Sequence, residues 1–194
     1  MLKRLFDFTA AFFGLITLFP ILLVVSLLIA LDSRGPVIFS QQRVGRHGKL
    51  FSMVKFRSMY VKQASNSTVS VKGDKRITRV GAFIRKTKID ELPELWNVLI
   101  GDMSLVGPRP DVKGYADELQ NESRKILELR PGITGPASLK FVNEEELLAS
   151  VDNPEQYNRE VIYPEKVKLN LEYYYQQNFL LDIKIIFATI FRKS

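Results

Sequence analysis

Apolar positions in this chain follow three different rhythms. From Phe8 to Leu31 the run FTAAFFGLITLFPILLVVSLLIAL carries no charge, and a helix needs roughly 20 such residues to meet a bilayer core. Next, Val37–Phe39 and Leu50–Phe56 are β-branched and aromatic stretches on either side of a glycine-rich, basic turn at Gly45–Gly48, which predicts a hairpin. After the polar loop Gln63–Gly73, helical patterning covers Val80–Arg85, Leu92–Ile100, Val112–Leu129, Glu144–Ser150 and Glu165–Tyr175. At the end, Ile183, Ile186, Phe187, Ile190 and Phe191 recur at helical spacing beside Lys184, Arg192 and Lys193. That stripe suits either a core-facing helix or one lying in a membrane interface with its bases at the headgroups. The pattern predicts an α+β fold, mostly helical with a small β-hairpin. It divides into a membrane helix over residues 1–34 and a cytosolic domain over 35–194.

A secretory signal fits the first run poorly, because the apolar stretch is long and no A-x-A site follows it. Lys3 and Arg4 precede the run, and Arg34, Arg43, Arg46, Lys49, Lys55 and Arg57 follow it. Positive charge stays on the cytoplasmic side, so a single crossing would send the lighter flank out. Pro20 sits mid-run, where it removes a backbone donor and kinks or breaks a helix. A segment broken at Phe19-Pro20 could leave on the face it entered, keeping both flanks inside. Charge alone leaves crossing and re-entry open.

Composition narrows the chemistry. Cysteine is absent and His47 is the single histidine, which excludes disulfide frameworks, thiolate sites, cysteine nucleophiles and histidine-rich metal clusters. Any metal would be oxygen-ligated. A net charge of +7 and a pI near 9.6 call for an anionic partner. The cations are spread along the chain with no nucleic-acid motif, so nucleic acid is not the expected partner. GRHGKL lacks the spacing of a phosphate loop.

The acid pair Asp90-Glu91 is followed by Pro93 at the start of a helical segment. An aspartate there can be an ordinary helix cap, and proline is tolerated in a first turn. Yet Arg79, Arg85, Lys86 and Lys88 precede the pair, and Arg109 follows between Pro108 and Pro110. Proline fixes the backbone around that guanidinium, whose planar fork suits phosphate. Two carboxylates among cations suit diphosphate chemistry with Mg²⁺, and a carboxylate can itself be the nucleophile. Local pattern alone supports both the cap and the site.

The stretch KIDELPELWNVLIGDMSLVGPRP resembles the signature of the bacterial sugar transferase family, the monotopic phosphoglycosyl transferases. PVIFSQQRVGRHGKLFSMVKFRSM, RITRVGAFIRKTK, RPGITG and LDIKIIF extend the likeness over essentially the whole chain. The resemblance implies the minimal catalytic form, without the added transmembrane bundle of larger members. It implies transfer of a sugar-1-phosphate from a UDP-sugar to undecaprenyl phosphate at the cytosolic face of the bacterial inner membrane. Downstream glycosyltransferases would then extend a capsule, O-antigen or other surface glycan. Asp90 would be the nucleophile, forming a phosphosugar ester with release of UMP. Glu91 would assist with Mg²⁺ or proton handling, with Asp90 and Glu91 as the metal carboxylates. Arg109 would bind phosphate, Arg85 and Arg57 would make phosphate or structural contacts, and Asp182 would support the site. The N-terminal segment would be a re-entrant helix broken at Pro20 and seated among membrane lipids. Two departures stand out. Phe19 replaces the family's serine before that proline, and the segment from Ala137 to Lys166 is longer than in some members. The longer form resembles members that handle 6-deoxy amino sugars.

Overall fold

A computed structural model describes residues 2–61 and 74–191. The predicted polar loop Gln63–Gly73 and the basic pair Arg192 and Lys193 lie outside the described residues. The apolar run forms one helix, α1 (Leu2–Asp32), with Pro20 inside it. The expected break at Pro20 is therefore not present as an end of the helix. A proline removes one backbone hydrogen bond, whereas the turns on both sides of it are held by their own contacts with the rest of the protein. Among the described residues α1 is the one helix long and apolar enough to cross a membrane, and it is mostly exposed. Phe13, Ile16, Phe19, Leu23 and Leu27 face outward.

Both halves of α1 dock on the same body. In the first half, Lys3 donates to the Val106 carbonyl at 3.0 Å, and the Asp7 carboxylate accepts from the Ser104 hydroxyl at 2.8 Å and the Leu105 amide at 3.1 Å. Arg4 donates to the Val98 and Leu99 carbonyls, capping the last turn of α3 (Glu94–Ile100). In the second half, Asp32 accepts from the Val80 amide at 3.1 Å, at the start of α2 (Arg79–Lys86). Ala11 packs with Met53, Val98 and Met103, while Val25 and Ile29 pack with Phe56 and Ile84. Helix α1 thus contributes to the core of the domain that follows it.

The predicted hairpin is present as β1 (Ile38–Val44) antiparallel to β2 (Leu50–Phe56), with Arg46–Gly48 turning between them. Its first strand extends further than the apolar residues alone suggest, because polar Gln41 and Arg43 occupy half-buried positions that alternate with exposed Ser40 and Gln42. Helix α3 is fastened across β2 by one side chain. Asn97, almost wholly buried, accepts from the Val54 amide at 3.0 Å and donates to the Ser52 carbonyl at 2.8 Å. It continues the strand's ladder where no third strand lies.

A second, parallel pair, β3 (Ser104–Val106) with β4 (Gly132–Thr134), escaped the pattern analysis because each strand has only three residues. Glycine makes it possible. A Cβ at Gly107 would overlap the Arg130 carbonyl oxygen, and one at Gly132 would overlap the Gly107 amide. The single α-helix expected over Val112–Leu129 is absent. Gly114 and Asn121 have positive φ, and the segment forms two 3₁₀ stretches, Ala116–Glu118 and Asn121–Glu128.

The remaining chain runs through α4 (Pro136–Lys140), α5 (Glu144–Ala149), α6 (Pro154–Tyr157), a π-helical turn, α7 (Tyr163–Gln176) and α8 (Phe179–Phe191). In α8, Ile185 joins Val106 and Tyr173 in the core while Leu180, Phe187, Ile190 and Phe191 are exposed. The core-facing alternative thus holds for one side of this helix, and the other side is apolar and exposed.

Candidate active site

Asp90 lies in a 3₁₀ turn, Ile89–Glu91, entered through Lys88 in the left-handed region at φ 58°. A lysine held there is strained, and the bend separates this turn from α3. Asp90 therefore caps no helix: α3 begins beyond Pro93, with no side-chain cap. The Asp90 residue is 7 % exposed, and its Oδ1 is buried with no hydrogen-bond partner among the described residues. Burial first, and the neighbouring Glu91 second, push its carboxyl up, against the opposing pull of Lys55, Arg85 and Lys88.

Glu91 is the opposite case. Both Nη atoms of Arg109 point at its carboxylate, and Lys55 donates to Oε1 at 3.1 Å. Burial acts to raise this carboxyl, but Arg109 and Lys55 outweigh it and hold it well below the usual range. Glu91 in turn raises the already basic guanidinium of Arg109. Two adjacent carboxylates are thus driven apart, one basic and unpartnered, the other locked as an anion.

Three charged neighbours of the pair were not among the residues expected there. Lys55, on β2, also lies 3.0 Å from Oε1 of Glu94, which is 1 % exposed. Burial pushes the Glu94 carboxyl up. Glu94 stands three residues after Glu91, a spacing that brings side chains onto one face, so this signal was available. Asp111, just past the Pro-Arg-Pro corner, is raised by burial to about 6 despite Lys166 and Arg43.

The other expected site residues divide. Arg85 is close enough to Asp90 to favour its charged form, and its Nη2 donates to Glu145 Oε1 at 2.5 Å. Arg57 is buried and its guanidinium donates to the carbonyls of Pro36, Ile29 and Ser33. Of the two roles expected for it, its place is the structural one, at the C-terminus of α1. Asp182 is buried between the Tyr173 hydroxyl and Lys3, which is 2.6 Å away. It touches none of the charged groups around Asp90, but Lys3 also holds Val106, three residues before Arg109. Asp182 thus shares Lys3 with the Val106 carbonyl, on the strand that leads to Arg109.

Among the described residues, no three carboxylates or histidines converge on one point where a metal could sit. Two buried carboxylate oxygens lack a hydrogen-bond partner among the described residues, Asp90 Oδ1 and Glu94 Oε1, and the second lies 3.0 Å from the Lys55 ammonium.

The bacterial sugar transferase family model matches residues 1–193. The chain belongs to the bacterial sugar transferase family. It is 40 % identical over 200 residues to the exopolysaccharide production protein PSS of Rhizobium leguminosarum bv. phaseoli, covering 98 % of this chain and 94 % of that protein. It is 48 % identical over 122 residues to a putative undecaprenyl-phosphate N-acetylgalactosaminyl 1-phosphate transferase of Bacillus subtilis (strain 168), covering 62 % and 68 %. It is 37 % identical over 194 residues to the UDP-glucose:undecaprenyl-phosphate glucose-1-phosphate transferase of Klebsiella pneumoniae, covering 98 % of this chain but only 39 % of that protein. This bacterial sugar transferase thus spans nearly all of one relative and well under half of another.

Proposed function

We propose that this protein transfers a sugar-1-phosphate from a UDP-sugar to undecaprenyl phosphate, with Asp90 as a covalent nucleophile, at the start of surface glycan synthesis. The relatives named for undecaprenyl-phosphate sugar-1-phosphate transfer support this choice of substrates. The observation that carries the assignment to Asp90 is the contrast within the pair. Asp90 keeps a buried, unpartnered oxygen and Glu91 is fully engaged.

In this scheme Asp90 Oδ1 attacks the sugar-proximal phosphorus. The bond from that phosphorus to the bridging oxygen breaks, and UMP leaves with the bridging oxygen and its electron pair. An oxygen of undecaprenyl phosphate then attacks the same phosphorus and expels the Asp90 carboxylate, giving undecaprenyl diphosphate sugar. An unpartnered carboxylate of raised basicity is a better nucleophile than one tied up by arginine. Arg109, fixed by its two prolines and by Glu91, binds the phosphates and offsets the charge that develops on the leaving oxygen. Arg85, whose charge also acts on Asp90, is a second cation for the phosphates.

Asp90 would be the carboxylate ligand of Mg²⁺, an ion that commonly takes one or two carboxylates together with phosphates. Bound there, it would neutralise phosphate charge. Glu91 is the second carboxylate of the expected pair, and it would have to exchange Arg109 or Lys55 to contribute.

We further propose that both ends of α1 lie on the cytosolic face of the bacterial inner membrane, with lipid against its outward apolar side. Lys3, Arg4 and Asp7 at one end and Asp32 at the other all bond to the same domain, which supports this placement. The test of the catalytic reading is UMP release from a panel of UDP-sugars with undecaprenyl phosphate as acceptor. Turnover of at least one sugar is expected, and no UMP from any of them would refute it.

A further inference from the structure

We propose that Glu145 is a displaceable counter-ion that occupies the Arg85 guanidinium until the diphosphate of the donor takes its place, and so sets donor affinity. This rests on the function proposed above. Arg85 faces two environments. Its charge acts on Asp90, and its Nη2 is 2.5 Å from Oε1 of Glu145, on α5. The two partners differ in freedom, since the Arg85 side chain is 19 % exposed and that of Glu145 is 44 % exposed. The Nε of Arg85 is buried and without a partner, and its Nη1 reaches only Ser58, at 3.5 Å. The guanidinium is therefore positioned but not saturated.

Helix α5 itself is held independently of this contact. Glu144, the preceding residue, accepts from Lys166 of α7 through both oxygens at 2.7 Å, and Leu148 is buried beneath. Glu145 can leave Arg85 by a rotamer change, with α5 in place. A carboxylate and a phosphate compete for the same planar fork, and the dianionic diphosphate offers more acceptor oxygens. The exposed ion pair lost in the exchange is weak, so the barrier it sets is modest and tunable. Without a counter-ion the site would hold adventitious anions more readily. With one, only a ligand that also reaches Arg109 gains enough to displace it.

The test uses the full chain in detergent micelles and UDP as the probe, with affinity read by calorimetry. Glu145→Gln is expected to tighten UDP binding about two- to fivefold, the range equivalent to one exposed ion pair. Glu165→Gln removes the same charge from the exposed Lys140–Glu165 pair and is expected to leave the affinity unchanged. In an Arg85→Gln background the Glu145→Gln effect should vanish. Equal effects of Glu145→Gln and Glu165→Gln, no effect of Glu145→Gln, or a full effect without Arg85 would each overturn the counter-ion. Failure of the unmodified protein to bind UDP would overturn it together with the proposed function, whereas UDP binding unchanged by Glu145→Gln overturns the counter-ion alone.

Discussion

Arg109 reaches back to grip Glu91, while Asp90, the adjoining residue, keeps a buried oxygen that none of the described residues holds. The pair is split because the chain turns at Lys88 and because β2 and the Pro-Arg-Pro corner both send their cations to Glu91. This asymmetry assigns different work to two residues of the same chemistry.

The first prediction concerns Asp90 itself. Asp90→Asn should lower UMP release by about a thousandfold or more, as loss of a nucleophile does. The variant should also melt higher than the parent at neutral pH, because it removes a carboxylate whose ionised form is penalised by burial. Loss of activity with a lower melting temperature would point to misfolding instead.

The Arg109–Glu91 pair predicts a different outcome. Arg109→Gln leaves the buried Glu91 anion with Lys55 as its remaining partner, so it should destabilise the fold by less than the about 3–5 kcal/mol of a charge left wholly unpaired. Glu91 has its folded pKa depressed, so its contribution is intact above its ordinary value near 4.5 and is lost as the pH falls below that. Denaturant melts of the parent and of Arg109→Gln should therefore converge in strong acid.

Activity should carry the signature of Asp90 on its acid limb. A nucleophilic carboxylate must be ionised, and this one is raised. The rate of UMP release should therefore begin to fall at a pH above the ordinary aspartate value of about 3.9. An acid limb at or below that value would contradict the assignment.

Asp111 gives a stability test with the opposite sign from Glu91. Its carboxyl is raised to about 6, so the folded state holds its proton more tightly than the unfolded state does. The penalty for charging it is absent in acid and complete above about pH 6. Asp111→Asn should be more stable than the parent at about pH 8 and should converge with it only below the ordinary aspartate value of about 3.9, by denaturant melts at about pH 8 and about pH 2.5.

Much of this architecture was legible because it is local. The hairpin, α2, α3 and α7 have the right period, and the acid pair with Arg109 stands out among cations. What was hidden depends on distant contacts. Asp7 lies at the border of an apolar run and looks like its polar flank, yet it is buried against β3. Lys55 is one of several bases on a strand, and only the crossing of α3 over β2 brings it to Glu91 and Glu94. The helical period over Val112–Leu129 was misleading because apolar residues at three-residue spacing also suit a 3₁₀ stretch. Pro20 predicts local damage to a helix, but the docking of both halves of α1 decides its course.

That docking is testable without altering the site. The chain has no cysteine, so Leu2→Cys and Lys113→Cys each introduce one label position. Both should react from the cytosolic side of sealed vesicles and neither from the other side. Opposite accessibility would show that α1 crosses.

The central claim is tested most directly by exposing the protein to a turned-over UDP-sugar without undecaprenyl phosphate. A burst of UMP equal to the enzyme present is expected, with a phosphosugar mass on the peptide containing Asp90. Adding undecaprenyl phosphate should discharge that mass. UMP formed only when the acceptor is present, with Asp90 never modified, would contradict the account.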